Sequence, residues 1–298
     1  MKNFLPVLHS AVTIMTPLLF AATGGLFTEL SGVLNIALEG LLLTGAFFAI
    51  TAFYFTGSFP AALALAVLAA LALSLLIAFF TLKLRSNVFI SGLAANLLAG
   101  GLTVVLSYSL FYTRGVIVLR DIRHLPLVHI KFIENIPAAG GLLSGHSLYT
   151  YFSWLLLFIA WIVIYKTPFG YHLRSSGSHA EALASLGLKP DAFRFAAFLI
   201  SGFCCGIGGS FLGLNLGAFV PNMPAGKGWM ALVVIFMGRR RPLGLFAAAF
   251  VFGLADAFSN YAQGVFDVPA DFILAIPYLF TLLAMIAVSI WEKRKYRA

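Results

Sequence analysis

Long apolar runs separated by short polar ones dominate this sequence. Residues 61–82, for example, contain no charged side chain. At 1.5 Å per residue, about 20 apolar residues in a helix cross the ~30 Å hydrocarbon core of a bilayer. Apolar residues make up 61% of the 298 residues and charged residues only 10%, which excludes a soluble globular domain. The chain is therefore predicted to be a polytopic integral membrane protein.

The apolar runs are rich in Leu, Ala, Phe and Gly, and they lack the alternation of polar and apolar residues that barrel strands need. We therefore predict an all-α fold in one transmembrane domain, residues 1–298, with nine or ten transmembrane helices. Nine spans are predicted at about 5–22, 41–55, 61–82, 90–112, 148–165, 195–216, 229–237, 243–262 and 272–291. The first is expected to end at 23–25, and a tenth span exists if residues 26–40 also cross.

Two segments are predicted to break the helix at membrane depth. Residues 26–40 are apolar overall but contain two carboxylates, an asparagine and two glycines, and residues 219–228 contain two prolines and two glycines. Irregular backbone is tolerated there only where protein encloses it or where it faces water. We therefore predict a translocation pathway lined by amide, carboxylate and aromatic side chains: Asn35, Glu39, Asn96, Asn222, Asn260, Phe27, Phe219 and Trp229.

The formal charge of +9 indicates membrane topology rather than nucleic-acid binding, because the basic residues cluster at the ends of apolar runs. The clusters at 83–85, 166–194, 239–241 and 293–297 are predicted to be cytoplasmic, where anionic lipid headgroups favour them. The polar stretch 113–147 is then extracytoplasmic by alternation of sides.

The longest cytoplasmic interruption, 166–194, is predicted to form a short helix outside the membrane. The stretch from Thr167 to Gly170 is expected to stop the preceding helix. A new helix is then capped by Ser176 or Ser178, carries Glu181 in its first turn and ends at Gly187. Its small apolar face would suit a cleft in a partner and comprises Ala182, Leu183 and Leu186. The alternative is an ordinary solvated loop.

No pattern in the sequence indicates a catalytic or metal site. There is no phosphate-binding glycine loop, the six histidines are scattered, and Cys204 and Cys205 are adjacent within an apolar run. We expect no catalytic residue, no metal and no cofactor on this chain. A transporter, a channel or a membrane-embedded enzyme remain. Glu29, Glu39 and Asp256 would serve an ion-coupled secondary transporter, or they simply pair within the protein.

Three ordered motifs resemble the permease subunits of bacterial ABC importers that serve simple sugars, nucleosides and branched-chain amino acids. The first is Leu-Ser-Gly-Val-Leu-Asn-Ile-Ala-Leu-Glu-Gly at 30–40, followed by Gly-Ala-Phe, and its Asn-Ile-x-Leu-Glu-Gly core is similar to the nucleoside branch. The second covers 170–187 with Ser-Gly at 201–202 and Gly-Gly at 208–209. The third runs from 226 to Pro242.

This resemblance implies a subunit of the inner membrane that forms the pathway with a second permease, either identical or a paralogue. Cytoplasmic ATPase subunits would bind ATP and magnesium, and an extracytoplasmic protein would deliver a nucleoside, riboflavin or a simple sugar. The resemblance also implies ATPase coupling through Gly177, His179, Glu181, Ala182, Leu183, Leu186 and Gly187. The run at 174–180 lacks the proline and the acid that the family usually carries there.

Overall fold

The computed structural model describes residues 4–119, 125–129 and 144–265, together with the single positions 279 and 286. This part of the chain contains helices α1 (Phe4–Leu30), α2 (Leu38–Thr56), α3 (Phe59–Ala78), α4 (Val88–Phe111), α5 (Leu148–Lys166), α6 (Pro168–Ser178), α7 (Ala180–Ser185), α8 (Pro190–Leu216), α9 (Lys227–Met237) and α10 (Pro242–Val265). A π-helical turn, Phe79–Lys83, extends α3. The short strands β1 (Ile117–Val118) and β4 (Ala218–Phe219) pair antiparallel, as do β2 (Leu127–Val128) and β3 (His146–Ser147).

The predicted class, a polytopic helical membrane protein, is confirmed. Among the described residues, seven helices are long and apolar enough to cross a membrane: α1 to α5, α8 and α10. Helix α9 has 11 residues and covers about half of a ~30 Å hydrocarbon core. The predicted span 272–291, the basic cluster 293–297 and most of the polar stretch 113–147 lie outside the described residues.

Helix α1 runs without a break for 27 residues, so the end predicted at 23–25 is wrong. A Cβ added to Gly24 would lie 2.9 Å from the Cβ of Cys204 and 2.9 Å from the Cα of Ser201. Glycine at this position therefore allows α8 to approach α1 closely, a role that small residues often have between membrane helices. The chain leaves the helix only at residues 31–37, which we call the α1–α2 turn.

The contacts at its two ends show that α1 crosses the protein once. Near its start, the ring of His9 stacks on that of His146 at 4.0 Å, at the end that carries the polar stretch 113–147. Near its other end, Ser176 in α6 donates a hydrogen bond to the carbonyl of Ser31 at 3.4 Å. The α1–α2 turn therefore returns the chain at the end where α6 lies. The alternative of ten spans, in which 26–40 adds a crossing, is wrong.

Helices α1, α2 and α8 form the centre of the molecule. Their apolar segments are 89%, 72% and 67% buried, whereas those of α3, α4 and α5 are only 28%, 22% and 28% buried. Glycines permit the close packing of α2 on α8: a Cβ on Gly45 would lie 3.1 Å from the Cα of Gly206, and a Cβ on Gly213 would lie 2.9 Å from Cγ1 of Ile50. Since the later residue of α2 contacts the later residue of α8, the two helices run parallel.

Candidate translocation and coupling site

The α1–α2 turn is closed by the side chain of Asn35, which is fully buried. Its Nδ2 donates to the Ser201 hydroxyl on α8 at 2.9 Å, and its Oδ1 accepts from the backbone N–H of Ala37 at 3.0 Å. The Thr28 hydroxyl accepts from the backbone N–H of Asn35 at 3.2 Å. Irregular backbone inside a membrane protein must satisfy its polar groups locally, and Asn35 does so here. It also fastens the turn to α8.

A second predicted pathway amide, Asn96 on α4, meets the same turn from the other side. Its Oδ1 accepts from the backbone N–H of Gly40 at 2.7 Å, and its Nδ2 donates to the carbonyl of Ile36 at 3.1 Å. Gly40 leaves room for this contact, because a Cβ there would lie 2.9 Å from Oδ1 of Asn96. Asn35 and Asn96 therefore join the turn to two different helices.

The carboxylate of Glu39 binds the beginning of the half-length helix α9. Its Oε1 accepts from the N–H of Gly226 at 2.7 Å and its Oε2 from the N–H of Gly228 at 2.6 Å. The first N–H groups of a helix have no partner within the helix and carry partial positive charge, so a carboxylate stabilises them. A Cβ on Gly228 would overlap the backbone N of Glu39, which explains glycine at that position.

The other end of α9 is held by an ion pair. Arg240, which follows α9, donates to Glu29 near the end of α1 at 2.8 Å, and the Glu29 side chain is only 12% exposed. Glu29 and Glu39 therefore secure α9 at its two ends. Asp256, the third carboxylate considered from the sequence, lies partly buried on α10 and is not part of this arrangement.

The other predicted pathway residues differ in burial. Phe27 and Phe219 are buried within the subunit. Three of the predicted residues lie at the surface of the subunit: Asn222 before α9, Trp229 on α9 and Asn260 on α10. A pathway role for the eight predicted residues stays a prediction.

Residues 166–194, predicted to be cytoplasmic, contain more helix than the sequence predicted. Helix α5 ends at Lys166 as expected, but Pro168 begins α6 rather than a loop, and the Thr167 hydroxyl caps it by accepting from the N–H of Gly170 at 3.2 Å. Proline is favoured in the first turn because that position needs no N–H donor. The predicted cap by Ser176 or Ser178 is wrong, since both hydroxyls donate to carbonyls one turn back within α6.

Helix α7 matches the predicted coupling helix in position but not in its apolar face. Glu181 lies in its first turn, and Gly187 follows it with a φ of +78°, as predicted. Leu183, however, is only 3% exposed and packs into the permease itself, whereas Leu186 is 76% exposed. The predicted partner-facing apolar surface is therefore wrong for Leu183. The other predicted coupling residues at the surface are Gly177, His179 and Ala182.

Sequence reasoning missed the partners of these residues. Ser201 was part of a small-residue motif, and nothing local indicates that it receives Asn35 from the first quarter of the chain. Arg194 was counted only as a topological charge, although its guanidinium contacts the carbonyls of Ser31 and Ser176. Only a packed structure reveals such contacts between distant segments.

Comparison with known proteins defines the family to which this chain belongs. The family described as "Branched-chain amino acid transport system / permease component" matches residues 7–289. The chain belongs to this permease family. It is accordingly a transport component rather than an enzyme, and a multi-pass protein of the inner membrane.

Two curated relatives are similar to this permease over most of their length. One is the nucleoside ABC transporter permease protein NupC of Lactococcus lactis, 32% identical over 91% of this chain and 88% of the relative. The other is the guanosine ABC transporter permease protein NupQ of Bacillus subtilis, 32% identical over 94% of this chain and 90% of the relative.

A solved structure has a similar fold. It is an ABC transporter assigned to the metal-chelate type, in an inward-facing conformation, with a TM-score of 0.54 and 15% identity over 92% of this chain and 85% of the solved one. At that identity the likeness concerns the fold alone.

Proposed function

We propose that this permease is the transmembrane subunit of an ATP-driven importer of nucleosides. The observation that carries the choice of substrate is the 32% identity, over most of both chains, to a nucleoside permease and a guanosine permease. A nucleoside combines a planar base with a hydroxylated sugar. Surface amides and an aromatic face, such as those of Asn222 and Trp229, suit both parts.

The proposal places ATP hydrolysis in separate cytoplasmic ATPase subunits that hold ATP and magnesium, so that this chain binds no cofactor of its own. Support comes from α7, which presents Ala182 and Leu186 at the surface of the segment predicted to be cytoplasmic. A short helix with an exposed apolar side chain suits a groove in a partner. A second permease, identical or a paralogue, completes the pathway, and an extracytoplasmic protein delivers the nucleoside.

The rival function, secondary transport driven by an ion gradient, needs carboxylates that are available to an ion or a proton. Glu29 is paired with Arg240, and Glu39 accepts two short hydrogen bonds from the start of α9. Two of the three carboxylates considered from the sequence therefore have structural partners, which favours the ATP-driven proposal.

The test is reconstitution of the permease in proteoliposomes together with ABC ATPase subunits and an extracytoplasmic binding protein from the same organism. We expect uptake of labelled guanosine that requires ATP and persists when ionophores collapse ion gradients. Labelled riboflavin and ribose serve as alternative substrates under identical conditions. Uptake of either one in preference to nucleosides would overturn the substrate, and uptake abolished by ionophores but independent of ATP would overturn the mechanism.

A matched pair of leucines, one in α7 and one directly after it, tests the ATPase contact. We expect Leu186→Ser to reduce substrate-stimulated ATP hydrolysis without changing the melting temperature of the isolated permease, because this side chain is exposed. Leu183→Ser should instead lower that melting temperature, because it places a hydroxyl in a buried apolar site. Wild-type stimulation in the Leu186 variant would mean that the ATPase docks elsewhere.

A further inference from the structure

Arg194, in the first turns of α8, connects two helix ends that belong to different parts of the permease. Its Nη2 donates to the carbonyl of Ser176 at 2.9 Å, in the last turn of α6, and its Nε donates to the carbonyl of Ser31 at 3.4 Å, just after α1. The last carbonyls of a helix have no partner within it and carry partial negative charge. A guanidinium is planar and rigid enough to bind two such ends at once.

The environment of Arg194 makes these contacts stronger than those of a surface residue. Its side chain is 25% exposed, whereas that of Asp191, which it also contacts at 3.0 Å, is 65% exposed. A hydrogen bond from a cation to a shielded carbonyl is stronger than an exposed ion pair, which water and salt weaken. We therefore attribute the position of the guanidinium to the two carbonyls rather than to Asp191.

Two glycines bring the same helix ends into backbone contact. A Cβ added to Gly32, which has a φ of +84°, would lie 2.8 Å from the Cα of Gly177. A Cβ added to Gly177 would overlap the carbonyl oxygen of Leu30. The backbones of α6 and of the α1–α2 turn therefore touch with no side chain between them. Neither can move closer to the other without pushing it.

The α1–α2 turn continues from this contact into the membrane. Within eight residues of Ser31, Asn35 binds Ser201 on α8 and Glu39 binds the start of α9. A short piece of chain, held by these hydrogen bonds, thus lies between α6 and the half-length helix α9. Such contiguous packing can transmit displacement, although only measured coupling demonstrates that it does.

We propose that Arg194 is a positioning residue that makes α6, α7 and the α1–α2 turn move as one unit when the ATPase changes conformation. The inference rests on the proposed ATP-driven function. Without the guanidinium, the cytoplasmic helices would follow the ATPase while the turn, and α9 with it, would lag behind. ATP would then be hydrolysed without a matching amount of transport.

The experiment compares Arg194→Gln, Arg194→Lys and the control Asp191→Asn in the reconstituted complex. The measured quantity is the number of guanosine molecules imported per ATP hydrolysed. We expect this ratio to fall about tenfold in Arg194→Gln, as for the loss of one charge-assisted hydrogen bond. It should fall less in Arg194→Lys, because lysine keeps the positive charge but lacks the planar guanidinium that binds two carbonyls at once. Asp191→Asn should match the wild type, because it removes only the exposed ion pair.

A second measurement needs neither substrate nor ATPase. Hydrogen exchange of the isolated permease should be faster at 170–187 in Arg194→Gln than in the wild type or in Asp191→Asn. A wild-type complex that imports no guanosine would contradict the proposed function, while this exchange result would still decide whether Arg194 holds the contact.

The inference is overturned if Arg194→Gln keeps the wild-type ratio, or if its exchange at 170–187 does not change. It is also overturned if the ratio falls equally in Asp191→Asn, since the ion pair would then be responsible. If Arg194→Gln does not fold, Arg194→Lys is decisive: a wild-type ratio and wild-type exchange in that variant would reject a role for the two-carbonyl contact.

Discussion

The two helix breaks of this permease look alike in sequence but differ in the structure. The α1–α2 turn and residues 220–226 both combine glycine or proline with asparagine. In the first break Asn35 is fully buried and hydrogen-bonded within the subunit. In the second, Asn222 has a φ of +58° and its side chain is exposed. A break can therefore serve internal packing or present polar groups to the surroundings, and burial distinguishes the two.

The physical reason lies in how each break satisfies its backbone. The α1–α2 turn uses side chains: Oδ1 of Asn35 accepts from the N–H of Ala37, and Nδ2 of Asn96 on α4 donates to the carbonyl of Ile36. The segment before α9 forms tight turns from its own backbone, in which the N–H of Met223 donates to the carbonyl of Val220 at 3.0 Å. Its end also relies on another segment, because Glu39 accepts from the N–H of Gly226. The first break should therefore tolerate less change than the second.

The largest effect is expected where the two breaks meet. Glu39→Leu removes both acceptors of the first N–H groups of α9 and should destabilise the folded permease by about 2–5 kcal/mol, the cost of leaving such strongly hydrogen-bonded groups without partners. Glu39→Gln keeps an acceptor oxygen and should lose less. The measurement is the melting temperature of the detergent-solubilised permease.

The ion pair at the other end of α9 supplies the comparison for Glu39. Arg240 is 56% exposed and Glu29 is 12% exposed, so water screens the pair from the arginine side, and Glu29→Gln should cost about 1 kcal/mol, the upper end of the range for exposed pairs. Equal losses in Glu39→Leu and Glu29→Gln would show that the start of α9 is no more tightly held than its end.

An intermediate effect is expected at Asn35. Asn35→Leu removes the hydrogen bonds to Ser201 and to the N–H of Ala37 and leaves both groups buried, which should cost about 1–3 kcal/mol. A melting temperature lower than the wild type would support the structural role. Asn260→Leu, on the exposed face of α10, is the control and should cost less than about 0.5 kcal/mol. A melting temperature unchanged in both variants would contradict the contrast between the two breaks.

The sequence was sufficient for features that depend on local composition. Apolar runs predicted the spans, because crossing a bilayer requires about 20 apolar residues whatever the rest of the chain does. Gly187 predicted the end of α7, because positive φ after a helix favours glycine. The polar and helix-breaking residues also located both interruptions to within a few residues.

The features that the sequence could not give depend on contacts between distant segments. The pattern at 23–25 predicts the end of a helix, and only the packing of Gly24 against Ser201, far along the chain, explains why α1 continues through it. Leu183 and Leu186 are the same residue type one turn apart, and only the packing of α7 determines that the first is buried. For the same reason, the sequence could not show that Asn35 is buried whereas Asn222 is exposed.

The smallest effect on stability, and the sharpest test of the comparison, is expected at Asn222. Its left-handed backbone makes leucine an unsuitable replacement, since a branched side chain there would add strain of about 1–2 kcal/mol. Asn222→Gly keeps that conformation and removes only the amide, so the melting temperature should shift by the equivalent of less than about 0.5 kcal/mol. If the second break lines the pathway, guanosine uptake per folded complex should nevertheless fall, with a larger change in the apparent affinity than in the ATPase rate. Wild-type uptake in Asn222→Gly would remove this residue from the pathway, and a loss of stability as large as that of Asn35→Leu would mean that the two breaks do not differ in kind.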